Sequence, residues 1–291
     1  MSIIGFGLIG GSIARALRAG SGAGEWHLTA WSRTPGPVRQ AVGDGVLDAA
    51  AATLDKALDQ ADLVVLAAPP LTCLDLIGQI GGELRHALPE DATVTDAASS
   101  KARIVARADS VRLPFIGGHP MAGREASGYV AALPDLFVGR PWITVPGMFA
   151  RLMDGERVRE LVEACGAVQI QMPATAHDDA VAAISHMPLI VSAALVEAVA
   201  GGPGKPERPD WEAVSALAAT GWAGMTRLAR GEPAMGTGMA ATNSAAIVAR
   251  LKDVRAAMDQ WIAELERKGG PDPDVLYRRF AGARERLEGG D

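Results

Sequence analysis

The chain is 291 residues long, enough for about two domains, with 48% hydrophobic and 21% charged residues. Its 34 glycines and 18 prolines are too few for a chain that is mainly disordered. The net charge of −6 gives no global basic field to draw it onto nucleic acid or anionic lipid, so neither is an expected partner, and an anionic substrate would need local Arg, Lys or backbone N–H groups.

The first half alternates short strand-like runs with helical stretches. Residues 2–4 are apolar and end on glycine, and helix-type sequence follows over 10–19. Strands are expected at 27–31, 63–67 (LVVLA), 93–96 and 115–117, with late strands at 142–145 and 168–172 around a helix at 156–164. The continuous apolar run at 63–67, stopped by Pro69-Pro70, fits a strand buried on both faces. Such alternation argues a doubly wound parallel sheet. After Pro173 everything reads as helix, over 175–200, 211–230, 240–268 and 273–287, with breakers at 201–204 and 231–233. The last stretch places Leu276, Phe280, Ala283 and Leu287 on one apolar face. The expected architecture is an α/β Rossmann-type domain over 1–173, followed by an all-α domain over 174–291.

Cys73 and Cys165 stand far apart with no cysteine at metal-ligand spacing. They read as reduced thiols of a cytoplasmic protein, with no metal site. No positive stretch precedes an apolar run at the start, so no signal peptide is expected. Apolar runs such as 63–71 are cut by prolines and fall short of the ~20 residues of a membrane helix.

Gly5-Phe6-Gly7-Leu8-Ile9-Gly10 fits G-x-G-x-x-G between a strand and a helix. Gly5 would permit the tight turn, Gly7 a close approach of backbone to pyrophosphate, and Gly10 close packing of helix on strand. The helix N-terminus opened by Leu8 and Ile9 adds N–H groups and a positive dipole for phosphates. NAD enzymes usually place an acid ~20 residues further on for the ribose 2′-hydroxyl; here Ser32, Arg33 and Thr34 stand at the end of the second strand. All three can bind a 2′-phosphate, so NADP is expected over NAD, the alternative being a solvated loop arginine.

Two further segments end strands on what should be the ligand rim of the sheet. They are Thr95-Asp96-Ala97-Ala98-Ser99-Ser100-Lys101 and Gly117-Gly118-His119-Pro120-Met121-Ala122-Gly123. His119, expected on a loop, could take a hydroxyl proton as a hydride leaves carbon, or be a buried or capping histidine. His186 lies on the first long helix, nine residues after His177-Asp178-Asp179, where a lone histidine is as readily structural.

Four segments, GFGLIGGS (5–12), TDAASSK (95–101), GGHPMAG (117–123) and HDDAVAAISHMP (177–188), resemble in order and spacing the prephenate/arogenate dehydrogenases of tyrosine biosynthesis. The resemblance implies NAD(P)-dependent oxidative decarboxylation of a cyclohexadienol and an all-α dimerisation domain, hence a homodimer. It implies that His119 is the catalytic base at the ring C4 hydroxyl and that Ser99 shares that hydroxyl. Arg227 then corresponds to the arginine that binds substrate carboxylate, Glu125 to an acidic residue near the mouth of the site, and His186 to the histidine of S-H-x-P. The chain departs from the pattern at Leu189, where many prephenate-using members have histidine. It departs again at Ala223-Gly224-Met225-Thr226-Arg227 against R-D-x-T-R, and at Met235-Gly236 against Met-Trp. A non-histidine residue at Leu189 resembles the cyanobacterial arogenate enzymes, which also favour NADP, and the changes together are consistent with arogenate or with an amino-substituted analogue in secondary metabolism. A β-hydroxyacid-type dehydrogenase would need a catalytic lysine in the helical half, where only Lys205, Lys252 and Lys268 occur, in a Gly/Pro loop and a polar helix. A non-catalytic NADP-binding sensor is the remaining alternative.

Overall fold

A computed structural model describes residues 1–20, 26–124, 126–203, 206 and 208–289; Glu125 and Lys205 lie outside the described residues. The chain divides into two compact units, Met1–Ile247 and Val248–Asp291.

The first unit opens with β1 (Ser2–Ile4), α1 (Leu8–Ala19), β2 (Thr29–Trp31), α2 (Pro35–Gly43), β3 (Ala49–Ala50), α3 (Leu54–Leu58) and β4 (Leu63–Leu66). It continues through α4 (Pro70–Gly81), β5 (Thr93–Asp96), α5 (Ala102–Ser110), β6 (Phe115–Pro120), β7 (Pro141–Pro146), α6 (Leu152–Ala164) and β8 (Val168–Gln171). The eight strands form one sheet in the order β3-β2-β1-β4-β5-β6-β7-β8. Consecutive residues of each central strand feed opposite cores, because side chains alternate across a strand. Ile3 and Val65 join Ile13, Leu17, Trp142 and Val158 on one face. Ile4, Val64 and Leu66 join Ile77, Ile104 and Phe115 on the other. Covering both faces is what makes the central strands uninterrupted apolar runs.

The sheet departs from all-parallel at one seam. β6 and β7 are antiparallel, with Gly118 opposite Thr144 and His119 opposite Ile143. Their connection holds a short 3₁₀ turn, Tyr129–Ala131, in place of a crossover helix, and only a parallel return needs that crossover. The same pairing lengthens β6 to Pro120, so His119 sits in a strand and not on the loop expected from sequence. β3, two residues long, was not expected at all.

The helices that follow in this unit are α7 (Ala174–Val181), a single π turn (Ala182–His186), α8 (Met187–Ala200), α9 (Trp211–Ser215), α10 (Thr220–Thr226) and α11 (Pro233–Thr242). The stretch expected as one helix over 211–230 is thus two helices and a 3₁₀ turn, Leu228–Arg230. The stretch expected over 240–268 is broken at Asn243, ahead of α12 (Ser244–Leu265). Ala174–Ala200 is a continuous 27-residue helical stretch, long and apolar enough to cross a membrane by length and composition alone, which the short runs of the first half do not suggest. It carries four buried polar residues, His177, Asp178, His186 and Ser192, and Ser192 is the one buried residue of α8.

In the second unit α13 (Pro273–Glu288) starts at Asp272, whose carboxylate accepts from the Asp274 and Val275 N–H groups. Phe280 meets Trp261 with ring centroids 4.9 Å apart, and the Arg279 guanidinium lies 4.0 Å over the same indole. The expected apolar stripe is otherwise open, with Phe280 and Leu287 exposed.

Candidate active site

The turn between β1 and α1 is shaped by what glycine lacks. Gly5 has φ +93°, and a Cβ there would lie 2.5 Å from the Ala67 carbonyl oxygen. A Cβ on Gly10 would lie 2.3 Å from the Gly5 carbonyl oxygen. Gly7, at the start of α1, has nothing within 4 Å of that position. A turn closed on its inner side and open at the helix N-terminus fits a pyrophosphate held by backbone N–H groups. Leu8 and Ile9 form the first turn of α1, both half-buried. Gly5 N–H donates to the Trp31 carbonyl at 2.8 Å, which brings the end of β2 beside this turn. Ser32 there is half-buried and Arg33 and Thr34 are exposed, with Thr34 leading into α2.

Between β5 and β6 lies a buried ion pair. Lys101 and Asp96, both fully buried, are in direct contact. Lys101 Nζ also donates to the Gly118 carbonyl at 2.6 Å, and Asp96 accepts from the N–H groups of Gly118 (3.0 Å) and Ala98 (2.9 Å). Burial raises the Asp96 carboxyl, against the pull of Lys101 and these two N–H groups. A Cβ on Gly118 would lie 2.3 Å from the Asp96 carbonyl oxygen, so only glycine fits between this pair and His119. Removing one member of such a pair leaves a buried charge, at a cost of about 3–5 kcal/mol.

His119 Nδ1 lies 2.8 Å from His177 Nε2, and His177 Nδ1 lies 2.8 Å from Asp178 Oδ1. Asp178 also accepts from the N–H groups of Lys101 (2.7 Å) and Ala102 (2.9 Å) at the start of α5. Burial opposes the Asp178 charge, but His177 and those N–H groups outweigh it and hold the carboxyl below its ordinary range. With Asp178 ionised, the hydrogen-bond partners give one line of donors that starts at the carboxylate. His177 donates from Nδ1 to Asp178, His119 donates from Nδ1 to His177, and His119 Nε2 keeps its lone pair. Burial, then the nearby His177, Lys101 and His186, push the His119 pKa well below its ordinary value, so the imidazole is neutral at pH 7.

His186 is fully buried at the end of the π turn. Pro188 follows two residues later and has no N–H to give to the turn before it, a common setting for a widened turn. Asn243 Nδ2 reaches His186 Nδ1 at 3.2 Å and donates to the Asp178 carbonyl at 2.7 Å. Burial lowers the His186 pKa to about 4. Among the described residues, Ser99 Oγ and His186 Nε2 are among the buried atoms with no hydrogen-bond partner, as are Thr95 Oγ1 and Trp142 Nε1 beside Gly118, and the Ser99 main chain is close enough to His186 to raise its pKa against burial. Orphaned polar atoms of this kind mark places where a ligand can supply the missing bond. Arg227 is exposed at the junction of α10 and the 3₁₀ turn, outside this buried cluster.

Residues 13–171 match the family model for the prephenate dehydrogenase nucleotide-binding domain, and residues 173–280 match that for the prephenate dehydrogenase dimerization domain. The chain belongs to the prephenate dehydrogenase family. As a family member it is an NAD(P)-dependent oxidoreductase. It is 30% identical over 295 residues to prephenate dehydrogenase of Bacillus subtilis (strain 168), covering 99% of this chain and 75% of that one. The crystal structure of Synechocystis arogenate dehydrogenase aligns with a TM-score of 0.76 at 32% identity, covering 98% of this chain and 99% of the other. Prephenate dehydrogenase from A. aeolicus shares the fold, with a TM-score of 0.85 at 24% identity over 99% and 96% of the two chains.

For this family member, the sequence brings forward Ser99, His119 and His186 but leaves Lys101, Asp96, His177, Asp178 and Asn243 without a role. An available signal was the pair His177-Asp178, an imidazole followed directly by a carboxylate at the head of a helix.

Proposed function

We propose that the protein carries out oxidative decarboxylation of prephenate or arogenate in tyrosine synthesis, preferring NADP to NAD. One observation carries this reading: the Asp178–His177 line fixes His119 as a neutral imidazole with a free Nε2, while Ser99 Oγ and His186 Nε2 stand buried and unpartnered in the same unit. His119 Nε2 accepts the C4 hydroxyl proton, Ser99 orients that hydroxyl, and His186 donates to substrate from Nε2. The bound dinucleotide supplies a hydride acceptor. Gly5, Gly7 and Gly10 with Leu8 and Ile9 hold its pyrophosphate, and Ser32, Arg33 and Thr34 meet its ribose phosphate. Loss of the C1 carboxylate as CO₂ yields a phenol, and aromatisation drives the step, so the protein mainly orients groups and stabilises charge.

Arg227 and Glu125 complete the reading as the carboxylate-binding arginine and an acid at the mouth of the site. Arg227→Ala should raise KM more than it lowers kcat, because it removes ground-state binding of an anion. The functional division falls between residues 173 and 174. The helical half forms a cytoplasmic homodimer, supported by the apolar α8, which buries only Ser192 within the chain; a monomer by light scattering would discard it.

A particular contact favours the arogenate or amino-analogue arm. A Cβ on Gly236 would lie 3.5 Å from Leu189 Cδ2, so two of the positions that depart from the prephenate pattern are neighbours in space. The test is initial NADPH formation with prephenate and arogenate side by side. A higher kcat/KM for arogenate supports that arm, and no turnover on either, with NADP still bound, discards the tyrosine-synthesis reading in favour of an analogue substrate or the sensor.

A further inference from the structure

We propose that His177 and Asp178 are positioning residues that take over the proton His119 receives, so that the positive charge created in catalysis comes to rest on His177. The inference rests on His119 being the base. The two imidazoles are 2.8 Å apart and the His177–Asp178 bond is also 2.8 Å, a continuous line of hydrogen bonds from Nε2 of His119 inward to a carboxylate. In the step, the substrate O–H bond breaks and an N–H bond forms at His119 Nε2. The His119 Nδ1–H bond breaks and an N–H bond forms at His177 Nε2. No electrons beyond the hydride pair change hands; when CO₂ leaves, its bonding pair enters the ring and the C4 oxygen becomes a phenolate, which takes the proton back by the reverse route to give the phenol.

The charged groups around the line favour this resting place. His119 is approached by Lys101 and His186 in addition to His177, and burial and all three act against a cation there. Asp96, the nearest acid to Lys101, is already spent on that lysine and on the Gly118 and Ala98 N–H groups. His177, by contrast, has the Asp178 carboxylate on its Nδ1, and Asp178 is kept ionised by the backbone N–H groups of Lys101 and Ala102. His177 is 1% exposed, so its charge is not shared with solvent. Coulomb attraction between groups in such contact is several times stronger than in water. Asn243, which donates to the Asp178 carbonyl and reaches His186, ties the line to the helix that carries the second histidine.

The test combines kinetics with a measurement that needs no turnover. His177→Gln offers an amide oxygen to His119 Nδ1 and so keeps the ring in place without being able to take its proton. The expected result is a loss of about ten- to a hundredfold in kcat with little change in either KM, and an acid limb of the kcat/KM profile moved to lower pH. The limb moves down because the His119 cation loses the carboxylate-backed acceptor. A kcat within twofold of the parent, or a loss of kcat with an unmoved limb, overturns the relay and leaves the assignment of His119 intact. In the resting protein, ¹⁵N-histidine NMR should show His119 and His177 both protonated at Nδ1. A His119 protonated at Nε2 overturns the proposal even if no substrate is ever turned over, and retained melting temperature in His177→Gln excludes misfolding as the cause.

Discussion

The glycine turn after β1 and the histidine cluster between β5, β6 and α7 occupy the same sheet and are built on opposite principles. At the turn, Gly5 and Gly10 exclude side chains because backbone stands 2.5 Å and 2.3 Å from where a Cβ would be, and Gly7 leaves open space for a ligand. Recognition there belongs to the main chain. Around His119 nearly every polar atom is taken: Lys101 by Asp96 and Gly118, His177 by Asp178 and His119, Asp178 by two backbone N–H groups. Among the described residues the unpaired atoms there are Ser99 Oγ and His186 Nε2, with Thr95 Oγ1 and Trp142 Nε1 beside Gly118. The difference is that the turn tolerates no added atom on its inner side, whereas the cluster tolerates no lost bond.

The largest expected effect breaks the cluster at its reactive end. His119→Asn keeps a polar group but removes the base, so kcat should fall by about 10²–10⁴ with KM little changed; unchanged turnover would remove His119 from the chemistry. Two alanine substitutions sharpen the contrast at the turn. Gly5→Ala forces a left-handed φ and a clash with Ala67, so it should lower thermal stability and cofactor binding together, by about 2 kcal/mol or more. Gly7→Ala meets nothing within the protein, so its melting temperature should match the parent while dinucleotide affinity falls. Equal melting temperatures for both variants would contradict the closed inner face. Further out, Arg33→Ala should weaken NADP by about 1.5–3 kcal/mol and NAD hardly at all. Equal losses in titrations with both dinucleotides would place Arg33 in solvent.

The two regions were also unequally legible from the amino-acid sequence. The glycine spacing, the apolar run at Leu63–Leu66 and the strand Thr93–Asp96 are local signals, and the chain folds them as read. Strand–helix alternation likewise sufficed for a mostly parallel sheet with helices on both faces. The antiparallel seam was not legible, because pairing of β6 with β7 joins residues over twenty positions apart and leaves no periodic mark; it is this seam that puts His119 in a strand. The His119–His177 bond spans 58 positions and the Asn243–Asp178 bond 65. Each residue is visible in the sequence, but the contact is a property of the fold. The π turn at Ala182–His186 also escapes a 3.6-residue reading, since it adds a residue inside an otherwise regular helix.

The smallest expected effect tests whether the cluster is as intolerant of an added proton as of a lost bond. The folded-state pKa of His186 is lowered from its ordinary 6.5 to about 4, chiefly by burial. Between those values the unfolded chain takes up a proton that the folded chain refuses. Stability is therefore full above about pH 6.5, declines as pH falls toward 4, and loses no more from this group below it. His119, also lowered, adds to the decline in the same direction. Melting temperature followed from pH 7 to 4 should fall for the parent, and His186→Gln, which cannot titrate, should fall by a few degrees less over that interval. The glycine turn holds no titratable side chain, so Gly7→Ala should run parallel to the parent throughout. If His186→Gln also ran parallel, His186 would not be held neutral by the fold, and its Nε2 could not be counted as a donor reserved for substrate.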